Sequence, residues 1–193
     1  MTKRHTIKLC VVGVMSALAT VIYMFFPEIP LVPGVDYLKI DFSDMPAVLS
    51  GIMMGPAAGI AVEIIKNAIH LFRTTTVGIG ELMNIGIGSA MILTVCLCSK
   101  SFSKWLKKDK LSPAVYFTSA AAGVLATIIA GWLLNAALTP VYFSLVGIPI
   151  TWASIFAGVV GSTLLNTVKA ALSLLPFYPV YFALNRAFGK IRS

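Results

Sequence analysis

The sequence predicts an all-α integral membrane protein: a bundle of six membrane-spanning helices with both termini on the cytoplasmic side. Three observations carry that expectation. Of the 193 residues, 58% are hydrophobic and 11% charged, and mean hydropathy is +0.91. A soluble domain of this length would carry about 25% charged residues. At roughly 20 residues per span plus loops, about six spans use up the chain, and no polar tract is long enough for a soluble domain. Lys and Arg also concentrate in three places: Lys3, Arg4 and Lys8; Lys100, Lys104, Lys107, Lys108 and Lys110; and Arg186, Lys190 and Arg192. With six spans these places share one side, and their positive charge makes that side cytoplasmic. Topology therefore explains the net charge of +8 without a nucleic-acid partner.

Residues 1–193 read as one membrane domain, with spans near 7–26, 43–54, 57–72, 81–98, 113–139 and 155–188. The first span is 20 residues, roughly 30 Å of helix. Lys3 and Arg4 before an apolar run, with Ala17-Leu18-Ala19 inside it, also resemble a signal peptide, but the run continues through residues 23–26. Gly13-x-x-x-Ala17 and Ser16-x-x-x-Thr20 put small residues at helical spacing, where another helix can approach closely. That helix belongs either to this bundle or to a separate membrane protein.

Residues 27–40 form an outer loop stiffened by Pro27, Pro30 and Pro33. Within 37–56, the sequence YLKIDFSDMPAVLSGIMMGP has a polar start, then an apolar segment too short for an ordinary span, then Gly55-Pro56. It reads as a lid and one wall of a binding site. Asp41 is placed to cap the second helix, with Asp44 in its positive first turn. In the third span Glu63, Lys66, Asn67 and His70 share one helix face. Ionisable groups in a span must face the bundle interior or one another. A Glu63–Lys66 pair tying helices together, a proton relay, ligand contact and partner coupling all fit that pattern.

Residues 73–80 form a second outer loop, and the fourth span opens with Glu81 and Asn84 before a basic loop at 100–110. The fifth span is expected to stop before Pro140, with an uncharged third outer loop at 142–152. The sixth carries Asn166 and Lys169 on one face, and Pro176 and Pro179 are expected to kink its inner end.

Catalytic and metal motifs are missing from the chain. It contains no Gly-x-x-x-x-Gly-Lys-Ser/Thr, His-Glu-x-x-His, Gly-x-Ser-x-Gly or Cys-x-x-Cys. Cys10, Cys96 and Cys98 lie in apolar segments and read as packing residues, and His5 and His70 are the only histidines. No catalytic residue, metal site or cofactor is expected. Asn135, Asn166 and Lys169 are a different case. An amide pairs with a ring edge that carries N–H beside C=O, and an ammonium supports an electron-rich carbonyl or ring nitrogen. With Phe42, Tyr37, Trp132 and Trp152 as flat apolar neighbours, these residues describe a small-molecule pocket. Interhelical hydrogen bonds with a snorkelling Lys169 are the other reading.

The motifs Lys39-Ile40-Asp41-Phe42-Ser43-Asp44-Met45-Pro46, Gly55-Pro56-Ala57-Ala58-Gly59, Lys66-Asn67 and Gly80-Glu81-Leu82-Met83-Asn84 resemble the substrate-binding S components of energy-coupling-factor (ECF) vitamin transporters. The resemblance covers nearly the whole chain and is strongest to the riboflavin-specific members. It implies riboflavin capture at the extracellular face of the bacterial cytoplasmic membrane. The implied substrate-binding residues are Asn135, Asn166 and Lys169, with Lys39, Asp41, Phe42, Glu81 and Asn84 from the quoted motifs. A transmembrane coupling subunit and two ATPase subunits are implied as partners, docking on Gly13 and Ala17. In that position the family usually has Ala-x-x-x-Ala. The implied mechanism is a toppling of the loaded component. Two readings compete with riboflavin capture: an S component for another vitamin, and a proton-coupled secondary transporter using Glu63, Lys66 and His70.

Overall fold

A computed structural model describes residues 3–25, 29–30, 39–40, 42–109, 112–147, 149–180 and 182. Among these residues six α-helices follow in order: α1 Lys3–Phe25, α2 Met45–Met54, α3 Pro56–His70, α4 Ile79–Leu106, α5 Pro113–Val146 and α6 Trp152–Leu174. Between α1 and α2, a short β1 (Ile29–Pro30) pairs antiparallel with β2 (Lys39–Ile40). A 3-10 turn, Leu71–Arg73, follows α3.

Among the described residues, four segments are long and apolar enough to cross a bilayer: His5–Phe25, Ile79–Leu106, Pro113–Val146 and Trp152–Val180. The α2 and α3 helices have 10 and 15 residues, and a bilayer core takes about 20. They form a hairpin at Gly55, whose φ of 107° lies in a region that side chains disfavour. The hairpin closes tightly. A Cβ on Gly59 would stand 2.6 Å from the Ala47 carbonyl oxygen and 2.9 Å from Gly51 Cα.

The hairpin packs on α1 and α4, α5 lies between α4 and α6, and α2 also touches α6. Ala47, Val48, Val62, Met91, Val95 and Leu174 are among the residues buried at the shared core. Tyr116 stacks on Phe177 with centroids 4.9 Å apart, and its hydroxyl donates to the Leu174 carbonyl. Leu125, Ile129 and Leu133 on α5, and Phe156, Val160 and Leu164 on α6, form exposed stripes every fourth residue. Such apolar stripes suit lipid contact.

Several boundaries differ from the sequence expectation. Asp44 itself is the N-cap of α2, makes no side-chain capping bond, and has Pro in the first helical turn behind it. Asp41 and Tyr37 lie outside the described residues, as do Lys110, Arg186, Lys190 and Arg192. The α4 helix runs through Lys100 and Lys104, so that part of the basic stretch is helical and ends at Lys107. The α5 helix runs through Pro140 to Val146 and shortens the third outer loop. Helices in a bilayer tolerate Pro because neighbouring groups and local backbone adjustment satisfy what it frees. A Thr151–Ser154 capping box starts α6 at Trp152.

Candidate functional site

The site is built where the N-terminus of α2 meets α3, α4 and α6. Glu63, Lys66 and Asn67 on α3 are fully buried, as their shared helical face requires. Lys66 Nζ donates to Ser43 Oγ at 2.9 Å, lies 3.0 Å from Glu63 Oε1, and pairs with Asp44 Oδ1. The ammonium also lies 5.5 Å from the centre of the Tyr23 ring on α1.

The contacts continue around a closed ring. Asn67 Nδ2 donates to Glu63 Oε1 at 2.9 Å, and Asn84 Nδ2 donates to Asn67 Oδ1 at 2.9 Å. Lys169 Nζ on α6 donates to Asn84 Oδ1 at 2.6 Å and stands 3.5 Å from Asp44 Oδ2. Two ammonium groups and two carboxylates thus share one buried ring. Each would be costly to bury alone, and pairing is what makes the burial tolerable. Gly88 on α4 makes room for it, since a Cβ there would stand 2.8 Å from Glu63 Oε1.

A second cluster holds the α3–α4 connection. His70 Nδ1 lies 2.8 Å from Glu81 Oε1, and Thr74 and Thr76 donate to Glu81 Oε2 at 2.9 and 3.2 Å. The His70 ring stacks on Tyr23 with centroids 3.8 Å apart. Arg73 donates to the Met24 carbonyl at 2.6 Å, tying the end of α1 to this turn.

Asn135 and Asn166 meet at one glycine. Asn135 Nδ2 donates to the Gly131 carbonyl at 2.8 Å. The Asn166 amide lies against Gly131 where a Cβ would otherwise project. Asn166 is 4% exposed, and its Nδ2 has no hydrogen-bond partner among the described residues. Such a buried donor is rare without a ligand or water. Glu63 Oε2 is the other ring-region atom in that condition.

The structure therefore joins Lys169 to Asn84, and brings Asn166 and Asn135 to the same glycine. Phe42 is half-buried at the start of α2. Lys39 is described only by its backbone in β2, and Asp41 falls outside the described residues. Glu81 is engaged with His70 and the two threonines, apart from Lys169. Trp152 is 87% exposed, and Trp132 is half-exposed with its indole N–H donating to Thr163 Oγ1 at 2.7 Å, so neither is a buried wall. Gly13 and Ala17 sit on the outer face of α1, with nothing within 4 Å of a Cβ at Gly13. Asp44 was the residue the sequence undervalued. Its place in the Ser43-Asp44-Met45-Pro46 run has the look of a helix cap, and only the lysines from α3 and α6 reveal its use.

A family model described as "ECF transporter, substrate-specific component" matches residues 8–188. The chain is 35% identical over 128 residues to "Riboflavin transporter FmnP" of Bacillus subtilis (strain 168), which is 63% of each protein. It is 33% identical over 87 residues to "Riboflavin transporter RibU" of Staphylococcus aureus (strain TCH60), 45% of each. These matched stretches thus span less than two thirds of either relative's own length. A solved structure described as "Structure and mechanism of the S component of a bacterial ECF transporter" superposes with a TM-score of 0.75 and 24% identity, over 95% of this chain and 98% of that one. At that identity the likeness speaks to the fold.

Proposed function

The chain belongs to the family of ECF transporter substrate-specific components, and from that premise we propose that it captures riboflavin at the extracellular face of the cell membrane for import. The observation that carries this reading is the Asn166 amide: nearly buried, without a partner among the described residues, and set beside Gly131 and Asn135. A flavin's ring edge alternates C=O and N–H groups, and amide side chains match that pattern in both senses. Lys169, on the same face of α6, supplies positive charge for the electron-rich end of the ring. Two relatives carrying the name riboflavin transporter support the choice of vitamin.

Members of this family are transporter components rather than enzymes. The sequence has no P-loop, so on this reading ATP hydrolysis falls to two separate ATPase subunits, linked to the chain through a transmembrane coupling protein. Gly13 and Ala17 offer that coupling protein an open small-residue face. Clustered basic residues argue for both termini in the cytoplasm.

Uptake into proteoliposomes tests the role. The account expects riboflavin to accumulate only when coupling and ATPase subunits and ATP are present. Accumulation by the chain alone, driven by a pH gradient, would mean a secondary transporter. Tight binding of thiamine or biotin in place of riboflavin would keep the family role and change the substrate.

A further inference from the structure

We propose that Asp44 is a positioning residue for Lys169: its carboxylate, shared between Lys66 and Lys169, holds the Lys169 ammonium at the ligand site without touching the ligand. The inference rests on the riboflavin reading above and adds a residue to it.

Three observations carry it. Asp44 is the N-cap of α2, where an aspartate ordinarily accepts from the first free N–H groups, yet its side chain makes no such bond. Its two oxygens instead face two lysines from different helices, Oδ1 toward Lys66 and Oδ2 toward Lys169. Lys66 already has a second carboxylate, Glu63 Oε1, at 3.0 Å. Lys169 meets the neutral Asn84 amide at 2.6 Å, and Asp44 Oδ2 brings a negative charge to 3.5 Å from its ammonium. The side chains of Lys169 and Asp44 are 11% and 4% exposed, which leaves little water to screen or replace that charge.

The geometry also separates the two lysines' roles. Asp44 Oδ2 stands 3.5 Å from Lys169 Nζ, an ion pair looser than a directed hydrogen bond. It fixes where the charge sits while the ammonium directs a hydrogen bond to Asn84 Oδ1. Neutralising Asp44 would let the Lys169 side chain move away from the ring. The affinity for a ligand that reads that ammonium would then fall, even with the fold intact.

The test uses the purified full chain and riboflavin fluorescence quenching, with thermal unfolding beside it. Binding by the unaltered chain is measured first, and its absence would remove the riboflavin reading rather than this one. Given binding, Asp44→Asn is expected to weaken affinity by about tenfold or more. The double variant Asp44→Asn, Lys66→Met removes one charge of each sign from the ring. It is expected to regain thermal stability but not affinity. Affinity that returns together with stability would mean that Asp44 acts only through Lys66, and the proposal would fail. A thermodynamic cycle gives a second arm that does not depend on that variant folding. In a Lys169→Met background, Asp44→Asn is expected to change affinity by less than about twofold. If the same substitution costs as much without Lys169 as with it, the positioning role is wrong.

Discussion

The Asn166 amide on α6 occupies the space that a side chain on residue 131 of α5 would fill. Gly131 is therefore what admits the candidate ligand-reading group between the two helices. Gly131→Ala forces Asn166 to move or the helices to part, an overpacking cost of roughly 1–3 kcal/mol. The expected outcome is a riboflavin affinity lower by about tenfold or more, because the amide leaves its place. Fluorescence titration reads it, and unchanged affinity would show that the Asn166 amide is not held there for binding.

Asn166→Ala and Lys169→Ala should differ in kind. The Asn166 Nδ2 donor has no partner among the described residues, so its removal is expected to leave thermal stability nearly unchanged. A ligand's buried polar edge would lose its partner, which costs about 1–3 kcal/mol of affinity. Lys169→Ala is expected to lower both affinity and stability, because Asn84 loses its donor and Asp44 a countercharge. Thermal unfolding and flavin titration on both variants check this. Equal stability loss in the two would contradict the division.

Lys66→Met tests the buried ring as a source of stability. Lys66 is completely buried and faces both Asp44 and Glu63. Removing one partner of a buried ion pair costs about 3–5 kcal/mol, since the remaining charges are left uncompensated. A large drop in the unfolding midpoint in detergent is expected, and a midpoint close to that of the unaltered chain would mean the ring carries little of the fold's stability.

Gly13→Leu or Ala17→Leu should abolish uptake in cells that cannot make riboflavin, while flavin affinity of the purified variant stays unchanged. The face is open, and a Leu there would hold a partner helix away. Normal uptake would make the face lipid-exposed, and joint loss of uptake and affinity would show that α1 supports the pocket.

How much the sequence disclosed depended on the kind of signal. Charge clusters and apolar segments made the helical membrane class legible, because burying charge in lipid is too costly to leave to chance. The Glu63, Lys66 and Asn67 face was legible because polar residues stand out at helical spacing in an apolar span. Trp132 and Trp152 were misjudged for the opposite reason. A helix apolar all round offers no period that says which side faces inward. The passage of α5 through Pro140 was illegible because Pro ends helices in water more readily than in a membrane bundle. Asp44 was hidden by ambiguity, since its position before a helix has a local explanation and its lysines arrive from residues 22 and 125 positions later.

Titrating the purified protein with riboflavin, read by quenching of the flavin's fluorescence, tests the central claim most directly. The account predicts saturable quenching at one flavin per chain, weakened in Asn166→Ala. No quenching at micromolar flavin, from protein that unfolds cooperatively on heating, would contradict it.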